Sequence, residues 1–554
     1  MVHLAAVALI AAALLPSALR APNEQQTTSA EFSPDAPPDE SAESLFQSLN
    51  QARSSTAGAG SGLGATDEAS PTEDGTAPEA GAPAEAGTAP LEEALDAPKV
   101  PARRTCFGVG PAGPRAAESV YSAPCVAKWT GDNGGATSKG VTENEIRVGL
   151  FPGPARYSGP VPFAPQPDEN DAERTLRVMQ SYLNDRFEIY GRTLRIYSFK
   201  GGIEDAEAKY PLFAGIPQNP AGFHDGLIQR KVISFGGFGL PHEWYAERAP
   251  YSYGWYMEGD LTLQLAAEYV CKKLHGRPVA YSEPFPAGYN GQERVFGILY
   301  YNNDPWERNG QKFTKYLKDE CGIAPKATVG YGLSDQDRRN QIATAMARLK
   351  TDGVTTVINM SESVTQPAMC SAADSHQYYP EWYTTGLAGI ATNGAGQRCS
   401  PAQQKHTFGV QPLEMPRPEE ELDWYRAYKA MEPDGEPDED AANGPRQFFY
   451  HLLMLANGAQ MAGPNLTPET FQEGLIKAGT RRGDPIWAIG GGIRRDDYTY
   501  ADDVAEIWWD PTATDPVSGN PGAYKYVRDG RRFGRGEVPR EEPLVFKEGT
   551  TGYG

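Results

Sequence analysis

The sequence of 554 residues is poor in basic residues, in histidine and in cysteine. Lysine and arginine number 51 against 72 aspartate and glutamate residues, which gives a formal net charge of -21. Nucleic-acid binding needs an extended basic surface for the phosphate groups, so we expect no nucleic-acid partner. The seven histidines show no metal-ligand spacing, and we predict neither a metal site nor a cofactor.

The motifs that carry common catalytic chemistry are also missing. There is no HExxH zinc pair, no GxxxxGK[ST] phosphate loop and no GxSxG nucleophile elbow. A formal GxGxxG occurs at 108–113, but Pro111 interrupts it and the pattern predicts neither a strand before it nor a helix after it. The acidic run 434–440 lacks the spacing of an EF-hand loop and indicates a solvated loop. We therefore predict a protein that is not an enzyme.

No apolar run is long enough to span a membrane. The run from Leu4 to Leu15 has the length of a signal-peptide core, so 1–21 is predicted to be a signal peptide, with an uncleaved anchor as the alternative. Between 22 and 100 there is no Cys, Trp or Tyr, and 15 acidic residues face two basic ones. Such a stretch cannot offset chain entropy by burial. We predict a disordered acidic linker over 22–105 and a secreted or cell-surface location.

Beyond the linker, short apolar runs alternate with stretches of helical spacing. This alternation predicts an α/β fold with parallel sheets, arranged as two successive α/β layers. The clearest strands are expected at EIRVGLF (145–151), TLRIYSF (193–199), VFGILYY (295–301) and VTTVINM (354–360). Two late runs, VAEIWWD (504–510) and AYKYVRD (523–529), are typical of strands that are added to an existing sheet.

The six cysteines allow fifteen disulfide connectivities, and the sequence alone does not choose among them. Buried free thiols are the alternative. In an exported chain we favour local pairs. These are Cys106 with Cys125, Cys271 with Cys321, and Cys370 with Cys399.

The segment CVAKWTGDNGGATSKGVTENEIRVGL, from 125 to 150, resembles the entry segment of secreted ABC-transporter substrate-binding proteins of GC-rich bacteria. That family belongs to the type I periplasmic-binding group, with the branched-chain amino-acid binders. The resemblance continues through GRPVAYS (276–282) and RVFGILYYNNDPWERNG (294–310) and covers roughly 125–530. It implies two Rossmann-like lobes joined by a three-segment hinge, which close on a small-molecule ligand.

The resemblance also implies domain limits and partners. Lobe 1 is expected to comprise 106–290 and 410–482, and lobe 2 to comprise 291–409 and 483–554. The closed complex would be a monomer recognised by an ABC permease or a membrane sensor. Two alternatives remain open, a surface receptor or scaffold without a transport role and an extracellular hydrolase, for which the sequence offers no nucleophile motif.

The ligand-binding residues implied by the resemblance lie in loops that follow strands. Lobe 1 would supply Tyr157, Ser158, Gly159, Gln218, Asn219, Gly236, Gly237 and Phe238, and lobe 2 Asp304, Trp306, Ser361, Glu362, Ser363 and Gly386. For each residue a turn or core role is the alternative. Phe238 replaces the hydroxyl residue with which the family grips an amino-acid carboxylate, which argues against such a ligand. Glu362 and Trp306 could contact a cation, and an apolar or aromatic ligand is equally compatible.

Overall fold

The computed structural model describes residues 107–110, 113–116, 118–217, 221–284, 286–437, 448–483 and 488–552. The predicted signal peptide or anchor and the acidic linker lie outside these residues. The described part begins with a hairpin of β1 (Phe107–Gly110) and β2 (Gly113–Arg115), which are antiparallel. The GxGxxG pattern spans this hairpin. No helix within the described ranges is long and apolar enough to cross a membrane.

Lobe 1 is built on a six-stranded sheet with the order β4-β5-β3-β6-β7-β8. Its strands are β3 (Glu145–Phe151), β4 (Gly159–Pro160), β5 (Thr193–Ser198), β6 (Ala214–Pro217), β7 (Ile233–Phe235) and β8 (Ser252–Tyr253). All neighbouring strands are parallel except the short edge pair of β4 and β5. Helices cover a parallel sheet on both faces, which explains why these strands are short continuous apolar runs.

Lobe 2 contains an eight-stranded sheet with the order β10-β9-β11-β12-β13-β14-β15, with β16 paired to β14. Its strands are β9 (Phe296–Tyr301), β10 (Ala327–Tyr331), β11 (Thr356–Met360), β12 (Glu381–Thr384), β13 (Thr407–Gln411), β14 (Asp503–Thr514), β15 (Pro521–Tyr526) and β16 (Arg532–Gly534). The first five are parallel, and the last three add in antiparallel order. The predicted α/β class and the late added strands are therefore confirmed.

The helices connect the strands and cover the sheets. They are α1 (Asp171–Arg186), α2 (Ile203–Lys209), α3 (Ala221–Gln229), α4 (His242–Ala246), α5 (Gly259–Tyr269), α6 (Asn309–Cys321), α7 (Asp335–Thr351), α8 (Gln366–Ser375), α9 (Asn393–Gln397), α10 (Pro401–Gln404), α11 (Asp423–Met431), α12 (Phe449–Ala462) and α13 (Pro468–Lys477). Helix α1 begins where Asn170 and Glu173 form a capping box, which satisfies two backbone N–H groups at its first turn.

The chain passes between the lobes three times, as the three-segment hinge requires. The first crossing, 254–258, leads from β8 to α5, which packs against α6 in lobe 2. The second follows β13 and leads to α11, which packs against α1 in lobe 1. The third follows α13 and ends at β14, which pairs with β13. By these contacts α5 belongs with lobe 2, although the sequence boundary assigned it to lobe 1.

A buried cluster ties the three crossings together, and we call it the hinge cluster. The ring of Tyr121 makes edge contacts with Trp255 in the first crossing and Tyr500 in the third, at centroid distances of 4.8 and 5.6 Å. Its hydroxyl donates to Glu414 Oε1 of the second crossing at 2.5 Å and accepts from the Ile489 N–H of the third at 3.0 Å. One residue that precedes β3, the first strand of the lobe 1 sheet, therefore contacts all three hinge segments.

Two of the predicted disulfides are confirmed. Cys271 is bonded to Cys321 with a Cα–Cα distance of 5.6 Å, and this joins the π-helical turn Val270–Leu274 after α5 to the end of α6. Cys370 in α8 is bonded to Cys399 with a Cα–Cα distance of 5.5 Å. Cys125 is also disulfide-bonded. Because Cys106 lies outside the described residues, its pairing with Cys125 stays a prediction.

Candidate functional site

The loops that follow the parallel strands of the two sheets meet between the lobes. From lobe 1 comes the loop 236–241 after β7, and from lobe 2 come the loop 302–308 after β9 and the turn Leu387–Gly389 after β12. In open parallel sheets, ligands bind beyond the carboxyl ends of the strands. We call the meeting place of these loops the cleft.

The glycines after β7 form a tight turn at the lobe 1 side of the cleft. Gly236 has a φ of 148°, and a Cβ atom there would lie 2.5 Å from the ring of His224, so no larger residue fits without displacement. The Gly236 carbonyl accepts a hydrogen bond from the Tyr245 hydroxyl at 3.2 Å. Gly237 has a φ of 83°. Both predicted glycines therefore shape the backbone of the turn, and the Gly236 carbonyl is used inside lobe 1.

Phe238 and Gly386, predicted from opposite lobes, line one small apolar nook in the cleft. The Phe238 ring contacts the ring of Tyr256 at a centroid distance of 4.9 Å. The volume of the nook is about 10 Å³, which is about the space of one water molecule. Its lining residues are Phe238, Gly239, Tyr256, Met257, Thr262, Gly386, Leu387, Ala388, Pro412, Leu413 and Ala501. The two lobes are thus in close apolar contact where a ligand was predicted.

Trp306 bridges the two lobes directly. Its indole Nε1 donates a hydrogen bond to the carbonyl of Gly239 at 2.9 Å, and its ring makes an edge contact with Tyr301 at 5.4 Å. Only 3% of the residue is exposed. Asp304, predicted with it, is exposed on the same loop. Trp306 therefore closes the lobe 2 wall of the cleft, while its polar atom is already occupied by lobe 1.

Glu362 is fully buried and its charge is compensated within lobe 2. Its Oε2 accepts hydrogen bonds from the N–H groups of Val364 and Thr365 at 2.5 and 2.9 Å. The Arg338 guanidinium lies 3.7 Å from Oε1, which also accepts from the Thr365 hydroxyl. These contacts are those of a carboxylate that holds the turn before α8, and the side chain does not reach the nook residues.

Two hydroxyls near the carboxyl ends of β9 and β11 are buried without a hydrogen-bond partner among the residues that the structure describes. They belong to Tyr301, which is 1% exposed, and to Ser363, which is fully buried. An unsatisfied buried hydroxyl costs about 1–3 kcal/mol, so such groups are candidates for ligand contacts. By contrast the Ser361 hydroxyl donates to Asn359 Oδ1 at 2.6 Å.

The predicted residues of the first loop lie at the other edge of lobe 1. Ser158 is exposed and its hydroxyl accepts a hydrogen bond from the Lys200 N–H at 3.0 Å. Tyr157 is half-buried, and burial together with the nearby Glu173 and Glu169 raises its pKa to about 12. Gly159 begins the edge strand β4. The structure does not bring these residues to the nook, and Gln218 and Asn219 lie outside the described residues.

Sequence reasoning missed several residues that hold the lobes together here. Tyr256 and Leu387 line the nook, and Lys312 of α6 forms an ion pair with Glu243 of α4 across the cleft at 2.7 Å. Tyr256 belongs to the first crossing, where the segment GWYMEGD shows neither helical nor strand spacing. The aromatic content of that segment is the one local signal that could have found it.

No family model and no curated protein matches this chain. The similar proteins that were found are solved structures. One similar structure is a leucine-, isoleucine-, valine-, threonine- and alanine-binding protein from Brucella ovis in a closed conformation. It is 11% identical, with 73% of this chain and 98% of that chain covered and a TM-score of 0.49.

Two further similar structures cover the chain to a similar extent. A fatty acid ABC transporter substrate-binding protein from Thermomonospora curvata is 15% identical, with 73% and 96% of the two chains covered and a TM-score of 0.45. A solute-binding protein from R. palustris in complex with 4-hydroxybenzoate is 10% identical, with 71% and 98% covered and a TM-score of 0.45. Because the sequence identities and the TM-scores are low, the function proposed below rests on the chain's own topology and side chains. The similar solved structures are consistently ABC-transporter substrate-binding proteins of the type I, leucine/isoleucine/valine-binding-like family, the one that the sequence resembles.

Proposed function

We propose that this protein is an exported solute-binding protein that captures a small molecule between its two lobes and delivers it to an ABC permease. Binding would occur by closure about the three crossings, and no chemistry would be performed on the ligand. The acidic linker would tether or space the two lobes from the cell surface. A receptor or scaffold on the same fold would share the closure but lack the permease.

The observation that carries the proposal is the pairing of two parallel sheets through three crossings, with their strand-end loops in contact. Three connections restrict the lobes to a hinge movement, which opens and closes the cleft. The contacts across the cleft include the Trp306 hydrogen bond to Gly239 and the pair of Lys312 with Glu243. Such contacts are compatible with a closed form that opens to admit a ligand.

The chemistry of the cleft favours a ligand with an apolar or aromatic body. The nook presents Phe238, Tyr256 and Leu387, and the charge of Glu362 is already balanced. Two unsatisfied hydroxyls, of Tyr301 and Ser363, could donate to a polar atom at one end of the ligand. A cation paired with Glu362 fits this arrangement less well.

A serine–histidine pair near the cleft does not support the hydrolase alternative. His224 Nδ1 lies 2.7 Å from the hydroxyl of Ser234. Both residues are buried in lobe 1, and burial lowers the pKa of His224 to about 3, far below that of an effective general base. The pair therefore acts as a packed hydrogen-bonded unit beneath Gly236.

A thermal-shift screen of the full chain tests the proposed function. The panel contains amino acids, polyamines, amides, small aromatics, sugars and short peptides. A cleft ligand at about 100 times its Kd adds roughly 2.7 kcal/mol of stability, which raises the melting temperature by a few degrees. Trp306→Phe removes the indole N–H that joins the lobes and should weaken binding about fivefold, because one hydrogen bond contributes about 1 kcal/mol.

Trp129→Phe is the matched control, since Trp129 is 37% exposed and distant in sequence from the cleft loops. It should leave ligand affinity unchanged. If a folded sample responds to no compound, or if Trp306→Phe and Trp129→Phe bind a hit equally well, the cleft-binding role is wrong.

A further inference from the structure

A cavity of about 720 Å³ lies beside the hinge, and we call it the hinge cavity. Its walls come from α4 of lobe 1, from α5 and α6 of lobe 2, from the first and third crossings, and from the start of β14 and the region of β16. It shares no lining residue with the nook of the cleft. Small-molecule sites commonly have volumes of about 300–1,000 Å³, so the hinge cavity is large enough for a ligand.

The hinge cavity is acidic, with eight carboxylate residues against five arginines among its lining. Some of these carboxylates already have full sets of partners. Asp260 accepts hydrogen bonds from Tyr316 at 2.7 Å and Lys312 at 3.0 Å. Asp503 accepts from Arg532 at 2.6 Å and from the Gly490 N–H at 2.9 Å. The excess negative charge therefore belongs to other residues.

Glu258, in the first crossing, has a carboxylate oxygen without a donor. The residue is 8% exposed, and its Oε2 lies 2.9 Å from Nδ1 of His242. Its Oε1 accepts no hydrogen bond from any residue in the described ranges. Among the described residues this oxygen is not one of the enclosed side-chain atoms that lack a partner, so it faces the hinge cavity, where a donor brought by a ligand could bond to it.

Asp497 and Asp502 of the third crossing add to this negative charge. Both pair with the same cation, Arg494, which lies 3.0 Å from Asp497 and also pairs with Asp502. Burial, with Asp260 and Asp497 nearby, raises the pKa of Glu258 to about 7, and burial with Asp497 raises that of Asp502 to about 7. Carboxylates with raised pKa values are those whose charge the surroundings stabilise poorly.

We propose that the hinge cavity binds a small organic cation, whose ammonium or guanidinium group donates to Glu258 Oε1 close to Asp497 and Asp502. A metal ion fits less well, because divalent cations need several ligands in one sphere. No group of three or more acidic, histidine or cysteine side chains that could hold a metal occurs in the part of the chain that the structure describes. Since both lobes and two crossings form its walls, an occupant would link cation binding to lobe position.

The affinity of the hinge cavity for a cation should change with pH, and the direction of the change follows from the pKa values of the carboxylates. In the free protein the raised pKa values mean that Glu258 and Asp502 hold protons more tightly when folded than when unfolded. Their contribution to stability is present below pH 4 and is lost as the pH rises through 7. The groups that face these two carboxylates are His242, Tyr245, Asp260, Arg494, Asp497, Tyr498 and Asp503.

A cation prefers the ionised carboxylates and therefore competes with protons. The Kd of spermidine, used as the probe, should be about tenfold lower at pH 8 than at pH 6, as one carboxylate of pKa about 7 ionises. Isothermal titration of the full chain at fixed ionic strength measures this, with one saturable site expected. The acidic linker also attracts spermidine, but it is the same in every variant compared.

Glu258→Gln and Asp502→Asn should each weaken spermidine binding at pH 8 at least tenfold. Both should remain folded, because each replaces a poorly stabilised charge by a neutral group of the same shape. The matched control is Glu473→Gln, an exposed carboxylate 3.9 Å from Arg495, which should bind as the parent does. Equal affinity of Glu258→Gln and the parent for spermidine would overturn the proposal. Equal stabilisation of the folded protein by calcium chloride and by spermidine would overturn it as well.

Discussion

Replacing Glu381 with alanine should lower the free energy of unfolding by about 3–5 kcal/mol. Glu381 begins β12 and is fully buried, and its two oxygens bind Nε and Nη2 of Arg294 at 2.7 and 2.8 Å. The Thr356 hydroxyl of β11 and the N–H groups of Ala280 and Tyr281 complete its hydrogen bonds. Alanine would leave the guanidinium of Arg294 buried without its counter-ion. Urea denaturation measures the loss.

The control for this prediction is the exposed pair of Lys315 and Asp319 in α6. Both side chains are more than half exposed, so Asp319→Ala should cost less than about 1 kcal/mol. Replacing both partners of the buried pair, as Arg294→Met with Glu381→Leu, should cost less than Glu381→Ala alone, because no buried charge remains. If Glu381→Ala costs no more than Asp319→Ala, the carboxylate is not holding a buried cation.

The sequence predicts the strands of this protein well because parallel strands are buried on both faces. EIRVGLF is β3 from its first residue to its last, and VFGILYY and VTTVINM contain β9 and β11. Helix α1 is also marked by local features, since its apolar spacing starts beside the capping box of Asn170. In each of these elements the apolar pattern lies within a short stretch of the sequence, so that stretch alone identifies the element.

The arrangement of the lobes could be predicted less fully. Helix α5 has a helical pattern, but this pattern does not identify the sheet on which the helix packs. The predicted lobe boundary at 290 therefore assigned α5 to lobe 1. The lining of the nook could also be predicted only in part. Phe238 and Gly386 were expected from the resemblance, whereas no sequence pattern indicated Tyr256. Which hydroxyls stay unpaired, as those of Tyr301 and Ser363 do, depends on the complete packing of lobe 2.

The hinge cluster shows the same limit most clearly, since its contacts join residues far apart in the chain. Tyr121 is 293 residues from Glu414 and 368 from Ile489. Burial, followed by the negative charge of neighbouring groups such as Glu414, raises the pKa of Tyr121 well above its usual value, so its hydroxyl remains protonated and donates. The sequence around Tyr121 does not indicate either partner. The three crossings come into contact with Tyr121 only in the folded chain.

Tyr121→Ala should therefore destabilise the hinge strongly. The residue is 2% exposed, and alanine would remove a ring that contacts Trp255, Tyr450 and Tyr500, at a cost of about 3–5 kcal/mol in the free energy of unfolding. Tyr121→Phe keeps the ring and loses only the hydroxyl, which should cost about 1–3 kcal/mol because the buried carboxyl of Glu414 loses a donor.

Hydrogen exchange distinguishes a hinge role of Tyr121 from general packing. In Tyr121→Phe the amide of Ile489 loses its acceptor, so exchange should accelerate in the third crossing while the strands of both sheets keep their protection. Tyr425→Phe is the control, since that hydroxyl donates to Glu436 at an exposed position and its loss should change neither stability nor exchange. Faster exchange spread evenly over both sheets would mean that Tyr121 stabilises the whole fold. Acceleration confined to the crossings would place control of lobe closure in the segment that precedes β3.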